Sequence, residues 1–424
     1  MNKELLEKLE QIKVPKAALQ QARLSALKRR RKNRRTLQLM LVAALFFFVL
    51  TASIRLSPQI ATAAAKIPLL APFVQMITYD KGIEDILAHE YAEDIVVEAE
   101  SNGKKLMITS VVADESGLLI AYRFDNGEVM QQPVNFSEVK LLQNGEALPA
   151  GVTMYFDGAE DKSIMESTLD VIFVENTVLN GNDFELFVQL NDQLETTFTL
   201  PFTLSKSVAQ SKHYPLNEQL FIDGQEIYVN SIEISPLRVE VSFTIPETNT
   251  KRILDFDLRL VDEVGEEWET TRNGTTGYGG ISSGMFTRFM QSNYFREPKS
   301  LTLIVENVTA LEKGKDYIEV DFSQKQVLYM PEELQVELNI ASEISIDAIH
   351  PLEKAGHGKP LFSTLIDANG EEWYSTQSSS LIDDSKKSES SYLFNKGFAN
   401  PVKMYIQHYP LYLNGSAELE IPIR

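Results

Sequence analysis

The hydrophobic pattern of this chain changes twice. Near the N-terminus apolar residues recur at helical spacing: Leu5, Leu9 and Ile12 stand at i, i+4 and i+7 and stop before Pro15, and Leu19, Ala22, Leu24 and Leu27 carry a second, looser pattern. Leu37 to Ile54 (LQLMLVAALFFFVLTASI) is then an uncharged run of 18 residues. At helical rise it covers about 27 Å, close to the hydrocarbon thickness of a bilayer, which predicts a single transmembrane helix. From about Lys104 a period of two takes over, as in Val239-Glu-Val241-Ser-Phe243-Thr-Ile245 and Leu301-Thr-Leu303-Ile-Val305, with turn residues every eight to twelve positions. That alternation predicts half-buried antiparallel strands stacked as sandwiches.

Between the apolar run and the first strands, Pro58, Pro68 and Pro72 exclude a long helix. Ile67, Leu69, Leu70, Phe73, Val74 and Ile77 are too apolar for a free linker, so this segment is expected to pack on the first domain or on the outer leaflet. Ile83-Glu-Asp-Ile-Leu-Ala88 reads as one or two helical turns.

The strand-rich region repeats itself. Phe256-Asp-Leu-Arg-Leu-Val-Asp-Glu-Val-Gly-Glu-Glu-Trp268 matches Phe362-Ser-Thr-Leu-Ile-Asp-Ala-Asn-Gly-Glu-Glu-Trp373, and further on Tyr317-Ile-Glu-Val matches Leu419-Glu-Ile-Pro. A weaker third copy begins at Leu106, with Val139-Lys-Leu-Leu-Gln-Asn-Gly-Glu146 in the hairpin position. The spacing is that of whole immunoglobulin-sized domains. Asn144-Gly145 and Asn369-Gly370 predict tight type I′ hairpins, and Trp268 and Trp373 read as strand residues covering a sheet face. The expected fold is mainly β: tandem immunoglobulin-like β-sandwich domains behind one N-terminal transmembrane helix. The expected divisions are a tail at 1–35, the span at 36–55, a juxtamembrane segment at 56–95, and β-domains at 96–210, 214–325 and 327–424.

Charge orients this arrangement. Lys28 to Arg35 holds seven cations in eight positions, among them Arg29, Arg30, Arg31, Arg34 and Arg35. Positive residues stay on the cytoplasmic side, so the N-terminus is expected inside and the β-domains outside, in the cell membrane. Residues 1–35 carry a balance of +9 against −20 for the whole chain, leaving −29 for everything after them. Such an acidic region will not bind nucleic acid. Small residues at Ala61 to Ala65 leave a cleaved secretory signal as the competing reading of the N-terminus.

Candidate chemistry is sparse. With no cysteine there is no disulfide framework and no thiolate site. His89, His213, His350, His357 and His408 are scattered, without the spacing of a metalloprotease, and no Gly-x-Ser-x-Gly elbow occurs. The acidic turn at Asp157, Glu160 and Asp161 and the loop Gly274-Thr-Thr-Gly277-Tyr278-Gly279-Gly280 read as a solvated turn and a hairpin loop, with weak Ca²⁺ binding and a phosphate cradle as the sharper alternatives. No cofactor, no metal and no enzymatic activity are expected.

One motif carries a resemblance. Ser57-Pro58 with an alanine cluster, then Lys66-Ile-Pro-Leu-Leu-Ala-Pro-Phe-Val74 and Tyr79-Asp80-Lys81-Gly82, following a basic tail and a single span, resembles membrane proteins of Gram-positive bacteria with the domain of unknown function 4179. The region of about 215 to 325 looks like the partner domain of unknown function 5643. The resemblance implies an anti-sigma factor or a regulator of an extracytoplasmic-function sigma factor. The tail would then bind the sigma factor through Leu5, Leu9, Ile12, Leu24 and Leu27, although it lacks a zinc-binding His/Cys motif, and the outer domains would sense an unknown extracytoplasmic ligand. The alternative is a cell-surface binding or structural protein whose tail only orients insertion.

Overall fold

Alternation along the sequence becomes antiparallel sheets in the computed structural model, which describes residues 71–77, 80–130, 134–154, 162–174, 177–271, 277–281, 284–351, 360–383 and 387–423. The run Leu37 to Ile54, the tail residues Leu5, Leu9, Ile12, Leu24 and Leu27 and the cations Arg29, Arg30, Arg31, Arg34 and Arg35 lie outside those residues. Among the described residues no helix is long and apolar enough to cross a membrane. The described chain is mainly β, with two short α-helices, Ala71–Met76 (α1) and Lys81–Ala88 (α2), ahead of the strands.

The first group comprises β1 (Glu93–Ser101), β2 (Lys104–Asp114), β3 (Gly117–Asp125), β4 (Phe136–Gln143), β5 (Glu146–Ala147), β6 (Ala150–Met154), β7 (Ile164–Phe173), β8 (Asp183–Leu190) and β9 (Thr197–Thr203). They form two sheets, ordered β1-β2-β3-β7-β6 and β5-β4-β8-β9. Leu106, Ile120 and Phe124 of the first sheet share one core with Leu141, Phe184 and Phe198 of the second. β9 alternates strictly between exposed and buried, as a strand with one wet face must. β3 opens with six consecutive buried residues, because its outer face is also covered. The cover is the helical segment described below.

The second group comprises β10 (Lys212–Ile222), β11 (Gln225–Ile234), β12 (Val239–Thr244), β13 (Lys251–Asp262), β14 (Glu267–Glu269), β15 (Gly277–Tyr278), β16 (Met285–Met290) and β17 (Leu301–Glu312). The third comprises β18 (Tyr317–Asp321), β19 (Gln326–Tyr329), β20 (Glu337–Ser342), β21 (Ser345–Pro351), β22 (Thr364–Ile366), β23 (Glu372–Asp383), β24 (Lys387–Phe394) and β25 (Val402–Tyr405), after which the chain ends on β26 (Ala417–Ile421). One sheet of the second group is β10-β11-β12-β16-β15 and the facing sheet is β14-β13-β17-β26. This repeats the strand order of the first group, with β26 in the place of β9. The third group is ordered β19-β18-β25-β22-β23-β24-β21-β20. Its long β23 pairs with β22 through its first residues and with β24 through the rest, with a register shift between Ser375 and Gln377 where it turns the corner.

The last strands of the second and third repeats are therefore exchanged. β18 follows β17 in sequence but pairs with β25, Ile318 opposite Met404. β26 follows β25 but pairs with β17, Leu303 opposite Leu419. These are the two segments that the repeat aligns with each other. A division at 325 and 327 does not follow the packing: Leu413 and Ile421 belong to the core around Trp268, while Leu254 and Leu311 belong to the core around Ile318 and Phe394.

The repeated hairpin explains the shared Gly-Glu-Glu-Trp. In both copies an aspartate closes the loop: Asp262 Oδ1 accepts from Val264 N at 3.0 Å and Glu266 N at 2.8 Å, and Asp367 Oδ1 accepts from Asn369 N at 2.8 Å and Glu371 N at 2.9 Å. Leu260 faces Trp268 across one hairpin and Leu365 faces Trp373 across the other. Asn144 (φ 54°) and Gly145 (φ 82°) both adopt the left-handed conformation that a type I′ turn demands. At the other predicted type I′ turn only Gly370 does (φ 83°), while Gly370 N donates to Asp367 O at 2.9 Å. That loop is a three-residue connection built on a type I turn, because the Asp367 carboxylate organises one more residue than a two-residue turn holds.

Candidate functional site

α1 and α2 form a wedge at the junction of the first two sandwiches. Pro72 sits in the first turn of α1, where its missing N–H costs nothing. Asp80 caps α2, accepting from Gly82 N at 2.8 Å. Phe73 and Met76 of α1 and Ile83 and Ile86 of α2 are buried against Val112, Leu119 and Ala121 of the first sandwich and Leu237 of the second. Each such side chain contributes roughly 1.5–3 kcal/mol when fully buried. Of the two expectations for this segment, packing on the first domain or lying on the outer leaflet, its described residues show packing on the first sandwich and on the second as well, while Ile67, Leu69 and Leu70 lie outside the described residues.

Three consecutive motif residues make the docking specific; Tyr79, the first of the four, lies outside the described residues. Asp80 is the cap. Lys81 Nζ donates to Glu267 O at 2.7 Å, lies 3.4 Å from Glu266 Oε1, and stands 5.7 Å from the centroid of the Trp268 ring. Gly82 is present for space: a Cβ there would lie 3.0 Å from Ser292 N and 3.1 Å from Ser292 Cβ. One turn later Arg296 Nε donates to Asp85 Oδ2 at 2.7 Å.

Beneath the wedge lies a buried cluster of charge. Arg238, 4% exposed, donates through Nη2 to Asp170 Oδ1 at 2.7 Å and stacks over Phe289 at 5.2 Å. Asp114, fully buried on the first sandwich, accepts from Leu237 N of the second at 2.6 Å and from Ser116 N at 2.8 Å. Glu240 accepts from Tyr278 Oη at 3.1 Å. Burial is the main force on these carboxyl groups: it lifts Asp80 to about 6 and Glu240 to about 7, and raises Asp114, while Arg238 opposes each rise. Met76, Asp80, Ile83, Asp170, Arg238 and Phe289 are among the residues lining a polar cavity of about 20 Å³, room for one water. Arg238 Nε is buried without a direct hydrogen bond, which such a water suits. Taken together these contacts fix the helical segment against both sandwiches.

Other sequence candidates fall elsewhere. Trp268 is fully buried in the second core, and Trp373 packs edge-on to Phe398 at 6.0 Å. His89 stacks on Phe295 at 4.6 Å, His213 lies 3.7 Å from Glu233, His408 lies 3.9 Å from Asp255, and His350 is buried, so these four are not brought together. His357, Asp157, Glu160, Asp161 and the first part of the glycine loop lie outside the described residues; Gly277 and Tyr278 form β15. Sequence reasoning missed Asp114, Asp170, Arg238 and Glu240. A signal was present in Arg238, a charge inside the apolar run Leu237-Arg-Val239, whereas Asp114 stands before Glu115-Ser116-Gly117 and reads as a turn residue.

Two family models match stretches of this chain. No curated protein matches the chain. Among solved structures, the crystal structure of the conserved domain protein from Bacillus anthracis is similar at a TM-score of 0.41 and 14% identity, over 56% of this chain and 84% of that one. Residues 31–126 match the model of a domain of unknown function (DUF4179), and residues 211–340 match that of a family of unknown function (DUF5643). The wedge and strands β1 to β3 fall in the first match; Leu237, Arg238, Glu240 and Arg296 fall in the second. The chain therefore carries DUF4179 followed by DUF5643, in the order that its motif over residues 57–82 and its middle region resemble.

Proposed function

We propose that this is a single-pass membrane signalling protein, an anti-sigma factor or regulator of an extracytoplasmic-function sigma factor, whose outer β-domains sense an extracytoplasmic ligand or condition. Three features support the reading: the uncharged run behind a cationic block, the DUF4179 match over residues 31–126, and strand order. In each of the first two sandwiches four strands lie in the ABED order of an immunoglobulin-type fold and four in the C′CFG order, with one extra leading strand. Immunoglobulin-like domains in tandem suit binding rather than catalysis, and no enzymatic step is part of the proposal. The observation that carries it is the wedge. A signalling chain needs its outer domains tied to the segment that leads into the membrane, and α1 and α2 are built into the junction of two of those domains.

The test addresses the tail. The full chain, solubilised with the sigma factor encoded nearest to it, is compared with Leu5→Asp plus Leu9→Asp. Placing two carboxylates on the apolar face removes contacts worth roughly 1.5–3 kcal/mol each, so binding is expected to weaken well over tenfold. Failure of the unaltered chain to retain any sigma factor of its host sinks the regulatory reading and leaves a surface-binding protein.

A further inference from the structure

The sheet β14-β13-β17-β26 has a different tie at each end. At the β14 edge, Glu266 and the Glu267 carbonyl hold Lys81 of the wedge. At the far edge lies β26, the strand exchanged with the third repeat. Charge links the strands between: Arg259 on β13 reaches Glu267 on β14 at 2.8 Å and Glu306 on β17 at 2.7 Å. Arg252, also on β13, pins the crossover itself. Its Nε donates to Asp316 Oδ2 at 2.6 Å and its Nη2 donates to Asp316 O at 3.2 Å and also to Ile406 O. Asp316 immediately precedes β18 and Ile406 immediately follows β25, and Ile406 N donates to Asp316 O at 3.0 Å. Both chain segments that cross between repeats thus meet under one guanidinium.

From this arrangement we infer that the exchanged strand β26 is a latch through which the third repeat controls docking of the juxtamembrane helix, with Arg252 as its clasp. The inference takes its purpose from the signalling reading, whereas the coupling it states belongs to the folded ectodomain. Exchange and non-exchange make the same kinds of ladder, since β18 and β26 occupy equivalent places in the repeat. The Lys313–Asp316 link after β17, with Gly314 at φ 84°, has the length and the left-handed residue of a hairpin that would let β18 fold back on β17. The crossover contacts are what favour the exchanged form. Losing β26 bares the β17 edge and removes Ile421 from the core that contains Trp268. The Trp268 face and the Glu267 carbonyl are the seat of Lys81, so a loosened sheet loosens the wedge.

Because the chain has no cysteine, thiol chemistry tests this in the full protein. Ile86→Cys places a reporter on the buried face of α2, read by mass on its own peptide as a labelling rate. Thr302→Cys with Glu420→Cys, directly opposed across β17 and β26, forms a disulfide that locks the latch. Oxidising that pair is expected to slow labelling of the residue-86 thiol about tenfold, and Arg252→Ala to speed it about tenfold or more. Equal rates in the oxidised, reduced and Arg252→Ala chains overturn the inference, as does failure of the pair to form an intramolecular disulfide. Should Arg252→Ala lose its β circular dichroism, the oxidised-to-reduced ratio alone decides. A tail that binds no sigma factor leaves this result untouched.

Discussion

Asp80→Asn isolates the electrostatic part of wedge docking. Asp80 is 4% exposed, and burial, the largest influence, lifts its titration from 3.8 to about 6. The Gly82 and Ile83 amides and Arg238 pull the other way, and Asp170 adds to the rise. A carboxyl group whose folded pKa is raised favours the folded form when protonated. Its contribution is fully present below about pH 3.8 and is lost as pH rises through about 6. A gap of about two units at 1.36 kcal/mol each makes docking weaker at neutral pH than in acid by about 3 kcal/mol. Asparagine keeps the capping oxygen but cannot ionise, so this part of the pH dependence should vanish. Amide-exchange protection factors along α2 measure it directly. In the unaltered chain they should fall between pH 4 and 6; in Asp80→Asn the share of that decline due to Asp80 should be absent, leaving a shallower fall from Glu84, Asp114 and Glu240, whose carboxyl groups burial also raises, Glu240 facing Arg238, Glu233, Asp114 and Tyr278. At pH 7.5 the variant should be protected by up to about a hundredfold more, and at pH 4 equally. Parallel pH slopes in the two proteins would refute the electrostatic account of the cluster.

Two further outcomes follow from packing. Gly82→Ala forces a methyl to 3.0 Å from Ser292 N, so α2 protection should drop by about tenfold or more while β circular dichroism is unchanged; unaltered protection contradicts the proposed close approach. A protease site inserted beside Gln324 should, once cut, leave the two halves co-eluting on gel filtration until denaturant is added, because each half supplies the other's last strand; free separation of native halves rules out the exchange.

The sequence disclosed the local geometry better than the long-range partners. Alternation in Val239 to Ile245 and Leu301 to Val305 gave strands because a half-buried strand must alternate, and Asn144-Gly145 gave its turn because few other pairs tolerate two positive φ values. At Asn369-Gly370 the same rule misled: the decisive residue was Asp367, whose carboxylate reorganised the loop. The exchange was visible only as the likeness of Tyr317-Ile-Glu-Val to Leu419-Glu-Ile, and a pattern that makes two strands equivalent cannot say which partner each selects. The wedge was half legible. Its helix and apolar content followed from composition, and Asp80, Lys81 and Gly82 stood out as a motif. The charges beneath it were hidden because Asp170 and Arg238 meet only through the docking of two separate domains.

The position of β26 after the whole third repeat has a consequence for the order of folding. A protein emerges from its N-terminus, and domains commonly close in the order in which they are made. Here the second sandwich waits for residues 417–421, synthesised after the whole third repeat, before its sheet has an outer strand. The wedge, made well before that strand, accordingly gains its complete seat only after residues 417–421 have joined the sheet. A copy truncated before residue 417 would leave the β17 edge of that sheet open and the wedge on an incomplete seat.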